Sequence, residues 1–107
     1  MAERDNIPSE LLADVKNWCD ITWDDEPTDK KVRGQIASGM AYLNGKLGEK
    51  ADYLEDGMPR TLLLEYVRYA RGQALDVFEN NYLSMILDMQ QEREVTRFVE
   101  STLSAQG

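Results

Sequence analysis

The stretch RTLLLEYVRYARGQALDVFE, residues 60–79 directly after Pro59, constrains the fold more than any other part of the chain. Leu63, Val67, Ala70, Ala74, Val77 and Phe78 recur at the spacing of one helix face, while Glu65, Arg68, Gly72, Asp76 and Glu79 fall on a wet stripe. No segment alternates with strand period for long enough to argue a sheet. The expected fold is therefore all-α: a small bundle of about four helices with a long third helix and a C-terminal helical arm. With 107 residues, one hydrophobic core fits and a second does not. A single domain is expected over 1–107, with its core over about 8–94 and the arm over about 95–107.

The other helices follow from local signals. Pro8 suits a first turn, and Leu11, Leu12, Val15, Trp18 and Cys19 share one side of a helix ending near Cys19. Thr28 is the predicted N-cap of a second helix that Gly48 ends. On that helix Val32, Ile36, Met40, Leu43 and Leu47 form a core stripe. Gly34, Ser38, Ala41 and Gly45 lie nearly opposite, a face with so little side-chain bulk that another backbone could approach it. Small residues on a wet surface and a contact face for a neighbouring subunit both explain it. Asn80 and Asn81 tolerate left-handed backbone, so they are expected to end the third helix and let another begin at a new angle. Tyr82, Met85, Ile86 and Met89 then form a fresh stripe. Val95, Phe98, Val99 and Leu103 keep helical spacing but are rotated away from it. Either the chain folds back there, or these four residues belong to an amphipathic arm that needs a partner.

Charge is distributed unevenly. Residues 1–29 hold nine acids and two bases, whereas the rest is nearly balanced, so the N-terminal quarter carries most of the net charge of -8. Nucleic-acid binding requires clustered Lys and Arg to neutralise phosphates. The candidates, Lys30, Lys31 and Arg33 with the pair Arg68 and Arg71, are interleaved with or preceded by acids, so tight DNA or RNA binding is not expected. Arg68 and Arg71 could pair locally with Glu65 or reach an acid on another subunit.

Chemistry is sparse. The chain has no histidine and one cysteine, Cys19, which excludes Ser/His, Cys/His and common zinc constellations. Cys19 reads as a small core hydrophobe and Trp18 as core, with Trp23 a loop anchor. The acids Asp20, Asp24, Asp25, Glu26 and Asp29 crowd one loop, DITWDDEPTD, which lacks the glycine and terminal glutamate of a calcium-binding EF-hand. A solvated acidic loop is the expectation over a weak cation site, with no catalytic residue, metal or cofactor. No run approaches the roughly 20 apolar residues of a membrane span, and no basic-then-apolar signal opens the chain, so a soluble protein is expected.

The order of pieces adds to this reading. LLADVKNWCDI, an acidic loop, a helix with small residues, a polar loop ending in Pro59, then YVRYARGQALDVFENNYLSMILDMQQERE together resemble the head-tail connector proteins of tailed bacteriophages, also called head completion or DNA-packaging adaptor proteins. The resemblance covers roughly residues 9–94. It implies a non-enzymatic virion component at the head-tail interface, assembled in the bacterial cytoplasm of a phage or prophage host. Members form rings, typically dodecamers, beneath the portal protein, extend the DNA channel and dock the next connector or a tail protein. DNA would pass through without tight binding. In such a ring, Gly34, Ser38, Ala41 and Gly45 with Arg68 and Arg71 would face neighbouring subunits, and Val95, Phe98, Val99 and Leu103 would engage a portal subunit. The alternative is a small acidic helical binding or regulatory protein, antitoxin-like or a DNA mimic, acting on a basic partner.

Overall fold

The computed structural model describes residues 7–106, with side chains described through 103. Four helices make up the fold, and the described residues contain no strand: α1 Ser9–Trp18, α2 Glu26–Leu47, α3 Met58–Arg71 and α4 Leu75–Gln106. The all-α fold class and the four-helix bundle stand as expected. The long helix, however, is the fourth and not the third.

Each boundary has a local cause. Asp20 adopts a left-handed backbone (φ 60°), and Ile21 N–H donates back to the Lys16 carbonyl at 2.8 Å, closing α1. Asp25, not Thr28, caps α2: its Oδ2 accepts from Thr28 N–H at 3.0 Å and from Thr28 Oγ1 at 2.6 Å. These two bonds hold the Asp25 carboxyl below its ordinary value. An N-cap oxygen satisfies N–H groups that the first turn leaves unpaired, and Pro27, lacking an N–H, fits just behind it. Gly48 ends α2 in the left-handed region (φ 81°), as expected.

The predicted break at Asn80 and Asn81 is not there. The chain turns eight residues earlier, where Gly72 follows the last residue of α3 and Gln73 is left-handed (φ 55°). Ala74 N–H then donates to the Tyr69 carbonyl at 2.8 Å, a backbone closure typical of a helix end. Turning here brings Phe78 back onto Tyr66 and Tyr69, with ring centroids 5.5 and 5.6 Å away in edge-on contact. Asparagine inside a helix costs only about 0.7 kcal/mol or less. Burying Phe78, Ile86 and Met89 on one continuous face is worth more, about 1.5–3 kcal/mol for each such side chain. Asn81 rides through exposed, its Nδ2 donating to the Tyr69 hydroxyl at 3.1 Å.

The core is one cluster: Leu11 and Val15 from α1, Val32, Ile36 and Leu43 from α2, Leu62, Leu63 and Val67 from α3, and Phe78, Ile86 and Met89 from α4. Met40 and Leu47 pack at its margin. Gly39, outside the predicted core stripe of α2, is buried because α3 crosses there. A Cβ built on it would lie 2.7 Å from Leu63 Cδ1 and 2.8 Å from Tyr66 Cδ1, so only glycine permits this approach. The polar loop between α2 and α3 is tied down through Tyr53, which is buried and donates its hydroxyl to Asn44 Oδ1 at 2.7 Å. Arg60 fastens the loop to α1, reaching the Tyr53 carbonyl at 3.1 Å and Asp14 at 3.0 Å.

Past the core α4 continues. A helix of 32 residues is about 48 Å long at ~1.5 Å per residue, which accounts for the elongated extents of 54 × 28 × 23 Å. No helix among the described residues is long and apolar enough to cross a membrane.

Candidate functional site

The outward face of α2 carries the small residues as expected. Ser38, Ala41 and Gly45 are exposed and Gly34 is half-buried, and a Cβ on Gly45 would meet nothing within 4 Å. The N-terminal part of this face does not stay flat. Gly34 and Ser38 line a groove of about 600 Å³ together with Lys30 and Lys31 from α2, Tyr66 and Ala70 from α3 and Leu75 at the start of α4. A groove of that size lies within the ~300–1,000 Å³ of sites that hold ligands or side-chain anchors. Gln35 stands at its wall, with a buried Oε1 that has no hydrogen-bond partner among the described residues.

Arg68 and Arg71 part company. Arg68 pairs locally, its Nε donating to Glu65 Oε2 at 2.9 Å and its Nη2 to Glu65 Oε1 at 2.6 Å. Arg71, half-buried, makes no ion pair among the described residues. Glu65 itself corrects the sequence reading: assigned to the wet stripe, it is only 7 % exposed. Besides Arg68, it accepts from Trp18 Nε1 at 2.7 Å and from the Tyr82 hydroxyl, so one carboxylate joins α1, α3 and α4. The Arg68 guanidinium is the largest cause holding the Glu65 carboxyl down to about 2, with Tyr82 and Trp18 assisting and burial opposing. Tyr82, donating to that anion, is pushed up to about 12. Arg68, Trp18 and Tyr82 all donate to Glu65, which makes it a structural hub of the bundle.

Trp18 explains its own misplacement. Expected in the core, it is 47 % exposed, because its indole N–H must face the Glu65 carboxylate at the bundle edge. Val77, placed on the core stripe, is 42 % exposed, since the turn at Gly72–Ala74 resets the helical phase. Cys19 is half-buried against the core, and that burial pushes its thiol up, as suits a packing residue. Trp23 is half exposed on the loop between α1 and α2.

The acidic loop is partly neutralised from an unexpected quarter. Lys16, buried on α1, reaches Asp29 at 2.9 Å and Asp24 at 3.0 Å. These partners, Asp29 first, raise the Lys16 ammonium above its ordinary value. Asp25 serves as a cap, while Asp20 and Glu26 remain exposed. Among the described residues no group of acids, cysteine or histidine is arranged to hold a metal ion.

Val95, Phe98, Val99 and Leu103 lie on the final third of α4 and are all exposed, Phe98 at 72 %. Salt bridges order this segment without covering it: Arg93 reaches Glu49 at 2.7 Å, and Arg97 pairs with Glu94 at 3.2 Å. These four apolar side chains share one side of the helix, and none of them belongs to the core cluster or packs against it. The groove was the feature that sequence reasoning missed, because it is formed by three helices brought together. Its only linear signal was the low bulk at Gly34 and Ser38.

No protein-family model matches the chain, and neither a curated protein nor a solved structure is similar enough to count as a match.

Proposed function

We propose that this protein is a non-enzymatic building block of a ring in a tailed phage or prophage virion, placed below the portal, where it extends the DNA channel and joins head to tail. The observation that carries the reading is the exposed end of α4: a single copy presents Val95, Phe98, Val99 and Leu103 to water with no partner of its own. An ordered helix that leaves its apolar side open is the form of a contact element between chains. The small-residue face of α2 supports it, because Ala41 and Gly45 give a neighbouring backbone room to approach. The sequence resemblance to head-tail connectors supplies the virion setting. Overall negative charge suits a channel wall that lets DNA slide without gripping it.

The DNA-mimic alternative loses support, since Asp24 and Asp29 are engaged by Lys16 and Asp25 by the cap of α2. Light scattering and electron microscopy of the protein, alone and mixed with a tailed-phage portal ring, test the proposal. The expected product is a ring capping the portal. Ala41→Leu is expected to keep the helical fold and block that ring. A wild-type chain that stays monomeric and leaves the portal bare would refute the connector role.

A further inference from the structure

We infer that the C-terminal end of α4 of one copy docks in the groove between α2 and α3 of the next copy. The inference rests on the ring reading only for its closure into a circle; the docking is argued from the two surfaces themselves. One chain carries both halves of a helix-in-groove contact. The donor is the stripe Val95, Phe98, Val99 and Leu103, all exposed. The receptor is the groove of about 600 Å³, whose floor and walls include Tyr66, Ala70 and Leu75, with Gly34 and Ser38 leaving room for an incoming side chain.

The two halves cannot meet within one copy. Leu75 borders the groove at the start of α4 and Phe98 lies 23 residues further along the same unbroken helix, about 35 Å away at ~1.5 Å per residue. A rigid helix cannot return to its own origin, so the contact is intermolecular. Because the two patches differ and sit toward opposite ends of the molecule, it is heterologous, the kind of contact that generates rings when the rotation closes and filaments when it does not.

Charge points to the same occupant. Lys30 and Lys31 are the only charged residues lining the groove, and neither makes an ion pair among the described residues. On the arm, Glu94 and Glu100 are taken up by Arg97 at 3.2 Å and Arg93 at 3.5 Å, which leaves Glu92 as its unpaired carboxylate among the described residues. Glu92 is exposed, likewise without an ion pair among the described residues, and one turn before Val95 it lies on the apolar side of the helix. Seating Phe98 in the groove would bring Glu92 toward the lysines, a charge complementarity between the two surfaces.

Cross-linking captures the contact even when it is weak. In a Cys19→Ser background, one protein carries Ser38→Cys in the groove and a second carries Leu103→Cys on the arm; Thr61→Cys, exposed at the start of α3, serves as the control partner. On mild oxidation the groove and arm proteins are expected to form a mixed disulfide dimer far in excess of either with the control. Adding Phe98→Asp to the arm protein, or Lys30→Glu with Lys31→Glu to the groove protein, should cut that yield by about tenfold or more, the size expected for losing a central interface anchor. A mixed dimer no more abundant than the control, or one indifferent to both changes, would overturn the inference. The ring reading fails separately: portal-capping rings built by Phe98→Asp would leave the ring and remove the arm contact, whereas specific cross-links without any ring on a portal would leave the contact and remove the connector role.

Discussion

The two parts of α4 have similar composition and opposite fates. From Phe78 to Met89 the helix lies along the bundle, and Phe78, Ile86 and Met89 are all but inaccessible to water, Ile86 at 2 %. From Val95 to Leu103 the same helix, with apolar residues at the same kind of spacing, holds Phe98 in solvent. The difference is rotational and positional. The second stripe points away from the bundle, and α2 has already ended at Gly48 before it begins. An amphipathic pattern states that a helix has an apolar side; whether that side is core or contact surface depends on what stands opposite.

The largest effect should come from the buried half. Phe78 stacks with Tyr82 at 5.2 Å between ring centroids and meets Tyr66 and Tyr69 edge-on. Phe78→Ala is expected to cost about 3–5 kcal/mol in urea unfolding, against less than about 0.5 kcal/mol for Phe98→Ala measured on the dilute chain. Equal costs for the two would erase the distinction between core and arm.

Next in size is the junction that holds the buried half in place. Glu65 has its folded value lowered from 4.5 to about 2, so its ionised form is favoured in the native state. The corresponding stability is fully present above about 4.5 and is lost as pH falls from there through about 2, on the order of 2 to 3 kcal/mol. In Glu65→Gln the slope of unfolding free energy over that window should flatten, read by urea denaturation at a series of pH values. An unchanged slope would show that α1 and α4 are held against α3 at Trp18 and Tyr82 by packing alone.

Smallest is removal of the exposed half. A chain ending at Glu94 should unfold cooperatively with a stability within about 1 kcal/mol of the whole, having lost helical signal but no core. Collapse of that shortened chain would mean that the arm belongs to the bundle, and the contrast between the halves would have to be redrawn.

Much of this was legible in the linear chain. The stripe Val32, Ile36 and Leu43, the stop at Gly48 and the rotated phase of Val95–Leu103 are periodic or stereochemical signals, and these survive without knowledge of neighbours. The turn between α3 and α4 was misplaced because Asn80 and Asn81 announce left-handed tolerance more loudly than Gly72 and Gln73, yet tolerance is not a requirement. Glu65 was misread because a carboxylate on a helix reads as wet until Arg68, Tyr82 and Trp18 converge on it from three helices. Gly39 and the groove stayed hidden for a related reason: glycine adds nothing to a hydrophobic pattern, and a cavity between helices has no linear signature.

The sequence by itself determined that the chain is helical, where α1 and α2 end, and which residues are apolar enough to seek cover, because those properties reside in single residues and their spacing within a few turns. Only the tertiary structure decided where the last helix begins, which carboxylate goes inside, and which apolar stripe is left without cover. Those choices are set by packing worth kilocalories between segments far apart in the chain, and such packing overrides local preferences worth tenths.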